Sequence, residues 1–193
     1  LKLLEERIKK DGRILPGNIV KVDSFLNHQL DIKFLEELGR EIYEHFKDRK
    51  INKILTIEAS GIALATLASQ NFGGVPVIFA KKEKHKNIGT DLYTAEVKSY
   101  TSSKEYRVAV SKKYLDKNDR ILIIDDFLAE GQALRGLINI AKQADAEICG
   151  LSVAVEKGFQ KGGDKLREEG YDLLSLAIID SINKGEIIFR DAN

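Results

Sequence analysis

Two adjacent carboxylates, Asp125 and Asp126, follow the branched apolar run Ile121-Leu122-Ile123-Ile124 and precede a stretch of small residues. A run of that kind suits a strand buried on both faces of a parallel sheet. It sets both acids at the strand's carboxyl end, where open α/β sheets bind ligands. Carboxylates placed there accept hydrogen bonds from vicinal hydroxyls. In the next segment, Ala129-Glu130-Gly131-Gln132-Ala133, three small side chains leave the main chain uncovered. A helix starting near Gln132 would offer its free N–H groups and the positive end of its dipole to an anion. Hydroxyls held by the acids and a phosphate held a few residues further on describe a site for a phosphorylated sugar. Paired acids after a strand also occur in magnesium sites, receiver-like domains and nucleotide hydrolases, so the short pattern alone leaves those open.

Such a site needs a sheet to carry it. Strand-like runs rich in branched residues cover Lys53 to Ile57, Val75 to Ala80, Arg120 to Ile124, Glu147 to Val155 and Leu173 to Ile178, with helical patterns between them. The alternation predicts an α/β fold, a twisted and mainly parallel sheet with helices on both faces. The clearest helix starts after Asp31, a suitable N-cap, and carries Ile32, Leu35, Leu38, Ile42 and Phe46 as one apolar stripe. Two more helices are expected over Ile62 to Gln70 and Ala133 to Gln143, each opening where a strand edge meets ligand. Between Lys81 and Tyr114 a charged loop that includes His85 leads into β-prone segments at Thr94 to Thr101 and Tyr106 to Ser111. This region reads as a mobile hairpin, and long excursions of that kind often act as lids.

Composition excludes several classes. With 31 basic and 30 acidic residues in 193, the formal charge of +1 gives no broad cationic field for nucleic acid or anionic membrane, so anion binding must be local. The length suits one domain over residues 1–193. Cys149, the single cysteine, lies in an apolar run and reads as a small core residue; a disulfide within the chain is impossible. Without a long apolar span or a signal-like start, the expected location is cytoplasmic. The lack of Met, with Leu1 first, points to a processed or altered chain. His28, His45 and His85 are dispersed, so no protein metal site is expected, and no G-x-S-x-G elbow supports a nucleophile.

The acidic motif resembles the phosphoribosyl-diphosphate signature of type I phosphoribosyltransferases: four apolar residues, two acids, two apolar residues and a small-residue phosphate loop. Glu130 departs from the usual Thr, and Ala133 stands where many members have a hydroxyl. This loop should therefore use main-chain donors with Glu130 turned away. Thr56-Ile57-Glu58-Ala59-Ser60-Gly61 matches the family's diphosphate loop, and Lys81 and Lys82 fall where the family often places a cation. Two more segments, Lys21-Val22-Asp23-Ser24-Phe25-Leu26-Asn27-His28-Gln29 and Val155-Glu156-Lys157-Gly158-Phe159-Gln160, are similar to the bacterial purine-salvage branch that uses xanthine.

The resemblance implies the type I phosphoribosyltransferase fold, with a flexible hairpin and a small hood from about residues 1–30 and the C-terminal segment. It implies Asp125 and Asp126 as catalytic residues at the ribose hydroxyls, and Ala129, Glu130, Gly131, Gln132 and Ala133 at the 5′-phosphate. Val20, Asn27 and Lys157 would contact xanthine, although Val20 matches a position that is often Leu. Phe159 would offer the base a flat face. Magnesium would come with the diphosphate substrate, and the assembly would be a homodimer with no nucleic acid or membrane partner. The hairpin region from Lys86 to Val110 would close over the site. Plainer readings stay open: Asn27 as a turn cap, Lys157 as a surface charge and Phe159 as core. So do transfer to guanine, hypoxanthine or adenine, and a phosphoribosyl-diphosphate-sensing regulator, against which stand the near-neutral charge and the lack of a basic recognition helix.

Overall fold

The computed structural model describes residues 1–83, 91–98, 105–183 and 185–190. The chain begins with α1 (Lys2–Asp11), a small antiparallel hairpin of β1 (Arg13–Leu15) and β2 (Ile19–Lys21), and a π-helical turn over Asp23–Asn27. Then follow α2 (Ile32–Phe46), β3 (Lys53–Ile57), α3 (Gly61–Asn71), β4 (Val77–Glu83), β5 (Leu92–Lys98), β6 (Glu105–Ser111) and β7 (Arg120–Leu128). The remaining elements are α4 (Gln132–Gln143), β8 (Glu147–Lys157), α5 (Gly162–Glu168), β9 (Leu173–Asn183) and β10 (Glu186–Phe189).

The main sheet has the order β10-β9-β8-β7-β3-β4-β6-β5. Its centre, from β9 to β4, is parallel, and antiparallel pairs flank it on both sides. From β3 the chain passes through α3 to β4 on one side, and from β7 through α4 to β8 on the other. The order therefore reverses between β3 and β7, which opens a crevice at their carboxyl ends. The pleat of β7 divides its apolar run: Leu122 and Ile124 join a core with α1, α2 and α3, while Ile121 and Ile123 join a second core with α4, α5 and the hairpin strands.

Asp31 caps α2 as expected, its Oδ1 accepting the Phe34 N–H at 3.3 Å, and Leu35, Leu38, Ile42 and Phe46 are buried along one stripe, whereas Ile32 in the first turn is exposed. Strands β7, β8 and β9 run further than their apolar runs indicate. Each is held by its neighbour, with β7 pairing β8 as far as Leu128↔Glu156 and β8 pairing β9 as far as Lys157↔Ile179.

The described strands of the expected hairpin are paired along their length. Strands β5 and β6 pair from Leu92↔Ser111 to Lys98↔Glu105 and continue the sheet from β4. Gln143 of α4 ties down the edge strand: its Nε2 donates to Thr94 O at 2.7 Å, and its Oε1 accepts the Thr94 N–H at 3.3 Å. Val97 and Val108 pack over Gly136 of the same helix. Lys84, His85 and Lys86, together with Tyr100 and Thr101, lie outside the described residues. No helix among the described residues is long and apolar enough to cross a membrane. Cys149 is buried in the core, and burial pushes its thiol up.

Candidate active site

Pairing between β3 and β7 ends at Leu55↔Ile123, while β8 follows β7 five residues further. Asp125 and Asp126 therefore sit within β7 and not beyond its end, at the point where β3 has turned away into α3. The pleat sends their side chains in different directions. Asp125 is 5% exposed and faces the start of α3. A Cβ at Gly61 would overlap Thr56 Oγ1 and come 3.0 Å from Asp125 Oδ1, so a glycine is what lets the helix start this close. Asp125 Oδ1 accepts the Asp126 N–H at 2.9 Å. Asp126 is turned toward the hood, where its Oδ2 accepts from Asn27 Nδ2 at 3.0 Å.

Burial first, and then the Asp126 charge, raise the Asp125 carboxyl well above the usual range; Lys82 opposes them. Two neighbouring acids in a site of low polarity resist holding two negative charges without a counter-charge, so the pair is poised to receive donors such as hydroxyls. Lys82 supplies local positive charge, its ammonium lying 5.1 Å above the Tyr106 ring. The Tyr106 phenol is itself raised by burial and by the Asp125 charge. Lys81, one residue earlier on the pleat, lies 5.8 Å over Phe79 and lines a different groove with Tyr114. Of the two lysines, Lys82 is the one that faces the acids.

From Asp126 a cleft of about 370 Å³ continues along Ala129, Glu130, Gly131, Gln132 and Ala133, closed on the other side by Val97, Lys98 and Tyr106. Gly131 caps α4 with φ +87°, a conformation that favours glycine, and Glu130 is exposed. The segment that opens α4 thus lines the same cleft as Asp126. The other loop, Glu58-Ala59-Ser60, leads into α3; its Glu58–Ala59 peptide is cis, and Glu58 Oε1 accepts the Lys82 N–H at 2.6 Å.

The hood is fixed through Arg7. Its guanidinium lies 4.9 Å from the Phe25 ring and 5.2 Å from the Phe34 ring, and Nη1 donates to Asp31 Oδ2 at 2.9 Å. Phe25 belongs to the same π-helical turn as Asn27, so these contacts orient the turn that brings the amide to Asp126. Val20 is buried at 6% exposure in the core that joins hood and sheet. Opposite, Lys157 ends β8 with its ammonium 5.8 Å over the ring of Phe127, the residue after Asp126, and burial lowers its pKa. Phe159 is half-buried and packs against the core that includes the hood. Asn27 and Lys157 are thus brought to neighbouring residues of β7. Tyr106, and the choice between Lys81 and Lys82, were not legible in the sequence. They depend on how β4 and β6 pair, which a polar β-prone run does not specify.

No three His, Cys, Asp or Glu side chains gather into a metal-binding group among the described residues. His45 Nε2 lies 3.0 Å from Asp172 Oδ1, and His85 lies outside the described residues.

The pattern of the phosphoribosyl transferase domain family matches residues 21–187. The chain is 54% identical over 192 residues to xanthine phosphoribosyltransferase of Bifidobacterium adolescentis, covering 98% of this chain and 100% of that protein. It is 53% identical over 191 residues to xanthine phosphoribosyltransferase of Finegoldia magna, covering 99% and 100%. Among solved structures it resembles adenine phosphoribosyltransferase from Rhodothermus marinus, with TM-score 0.74 and 18% identity over 92% of this chain and 99% of that one. The enzyme of that name from Thermoanaerobacter pseudethanolicus gives TM-score 0.72 and 21% identity over 91% and 98%. At those identities the structural likeness speaks for the fold alone. Sequence pattern, near full-length relatives and shared fold agree that the chain belongs to the type I phosphoribosyltransferase family.

Proposed function

We propose that this protein transfers the 5-phosphoribosyl group from phosphoribosyl diphosphate to N9 of xanthine, giving xanthosine 5′-monophosphate and diphosphate in purine salvage. The observation that carries the reading is that Asn27 meets Asp126 and Lys157 meets the next residue of β7, Phe127, in a chain more than half identical to full-length proteins named for that activity.

Asp125 and Asp126 orient the ribose hydroxyls, and the main chain from Ala129 to Ala133 holds the 5′-phosphate at the start of α4. The C1–O bond to diphosphate breaks with its electron pair on the leaving oxygen, the N9–C1 bond forms, and the N9 proton passes to the departing diphosphate or to solvent. Positive charge develops on the sugar in between, and the acids face it. Lys82 and the Ser60-Gly61 main chain lie where the leaving diphosphate gathers negative charge. Magnesium, carried by the diphosphate substrate, supplies charge neutralisation. Two carboxylates, one of them buried, suit an ion held chiefly by substrate oxygens. Xanthine carries a second carbonyl and is more acidic than hypoxanthine, so the Asn27 amide and the Lys157 cation suit it, with Val20 as an apolar boundary.

The whole of residues 1–193 acts as one domain, with the hood from about 1–30 and the C-terminal segment over the base. The active species is a cytoplasmic homodimer, and exposed Phe79 and Tyr114 beside a groove of about 640 Å³ support a contact surface. Parallel turnover of phosphoribosyl diphosphate and magnesium with xanthine, guanine, hypoxanthine and adenine, with products identified by mass, tests the acceptor. Xanthosine 5′-monophosphate should dominate; a strong preference for another purine overturns the assignment.

A further inference from the structure

Behind the phosphate loop a buried carboxylate meets a partly exposed arginine and a serine, a cluster that the acid site does not use. Glu156 is 0% exposed. Its carboxylate accepts from Arg167 Nη1 at 3.1 Å and Nη2 at 2.7 Å, and from Ser175 Oγ at 2.5 Å; Arg167 Nη2 also donates to Ser175 Oγ at 3.0 Å. These three residues tie β8, α5 and β9 together. Desolvation of Glu156 offsets much of the attraction, yet losing Arg167 strands its buried charge.

The placement of the cluster gives it a role. Glu156 immediately precedes Lys157, and it pairs across the sheet with Leu128, the last residue before Ala129. Two glycines open α5 against it. A Cβ at Gly163 would overlap the Glu156 carboxylate, and a Cβ at Gly162 would overlap the Ala129 carbonyl oxygen and lie 2.8 Å from Gly131 N. One side of α5 is thus pressed on the Glu156 carboxylate, and the other on the back of the phosphate loop.

We propose that Glu156, Arg167 and Ser175 form a positioning unit that sets the phosphate loop and Lys157 at one fixed separation, so that sugar phosphate and base are aligned by the same buried contact. The inference rests on reading Ala129–Ala133 and Lys157 as the two subsites. None of the three residues touches substrate; they act through Gly162 and through the end of β8. Small displacements of reacting groups are costly in rate, which is why a rigid link between subsites matters.

Steady-state kinetics and thermal melting of Arg167→Met, Arg167→Lys, Ser175→Ala and Gly162→Ala test it. The second substrate is whichever purine the wild type turns over, so a wrong acceptor assignment shows in the wild type and does not decide this question. Arg167→Met should raise KM for phosphoribosyl diphosphate and for the purine together, each by about tenfold, with partial recovery in Arg167→Lys. Gly162→Ala, which disturbs only the loop side, should raise KM for phosphoribosyl diphosphate alone. Ser175→Ala should move both constants in the same direction by less, and it carries the test if Arg167→Met does not fold. A lower melting temperature with both KM values unchanged, or a rise for only one substrate in the Arg167 or Ser175 variants, overturns the proposal.

Discussion

The Asn27 amide donates to Asp126 Oδ2 at 3.0 Å, so a hood residue and a strand-tip acid 99 positions apart in sequence share one hydrogen bond. The hood is thereby fastened to the acid pair, and any base held by Asn27 lies beside the sugar held by Asp126. In the proposed complex Asn27→Ala also removes a donor to the base, worth about 1.5–3 kcal/mol where the base is anionic. KM for xanthine should rise about tenfold or more, and KM for phosphoribosyl diphosphate should change less. Initial rates with each substrate varied in turn check this; unchanged xanthine KM removes Asn27 from the base site.

Asp125 carries a pH signature. Its native pKa is raised, chiefly by burial, above an unfolded value of about 3.9. Between those values the native state keeps a proton that the unfolded state has lost, so stability falls as pH rises and levels off once the native pKa is passed. Asp125→Asn removes that loss. The variant should melt higher than the wild type at neutral pH, with the gap closing as pH falls to about 4, while turnover is abolished. Melting curves across pH measure the gap, and a gap that does not vary with pH contradicts the assigned burial.

Lys157→Met should raise KM for xanthine while leaving phosphoribosyl-diphosphate binding nearly unchanged. Burial lowers the Lys157 pKa, so in the wild type xanthine affinity should weaken with rising pH before an ordinary lysine would titrate. Paired KM measurements over pH test both points. Equal loss for both substrates would mean that the substitution has disturbed the strand end, not a base contact.

Gly61→Ala places a methyl in overlap with Thr56 Oγ1 and 3.0 Å from Asp125 Oδ1. Either α3 or Asp125 must move. Turnover should fall by about 100-fold, the scale expected when a reacting group is displaced by about 1 Å, with most of the folded structure retained. Circular dichroism alongside rate measurement separates the two effects; full activity would mean that the notch is not needed.

The sequence displays those parts of the site that are local. The apolar run ahead of Asp125 marks a central strand, Asp31 and the Leu35-to-Phe46 stripe mark a helix, and Gly131 marks the turn into α4, because each depends on neighbours a few residues away. Helix α1, the β1–β2 hairpin and the ends of β7, β8 and β9 were not legible. Their residues are held by distant partners, and ladder pairing outweighs weak local preference. Tyr106 illustrates the same limit: only the pairing of β6 with β4 brings it beside Lys82 and the acids. The contacts of Gln143 and Gly136 that dock the described hairpin strands onto α4 were likewise not legible, because they join distant segments.

The most direct measurement is a crystal structure with phosphoribosyl diphosphate and magnesium bound. The ribose hydroxyls should lie on Asp125 and Asp126 and the 5′-phosphate on the main chain of Ala129 to Ala133. Donor bound elsewhere, with the tip of β7 empty, would contradict it.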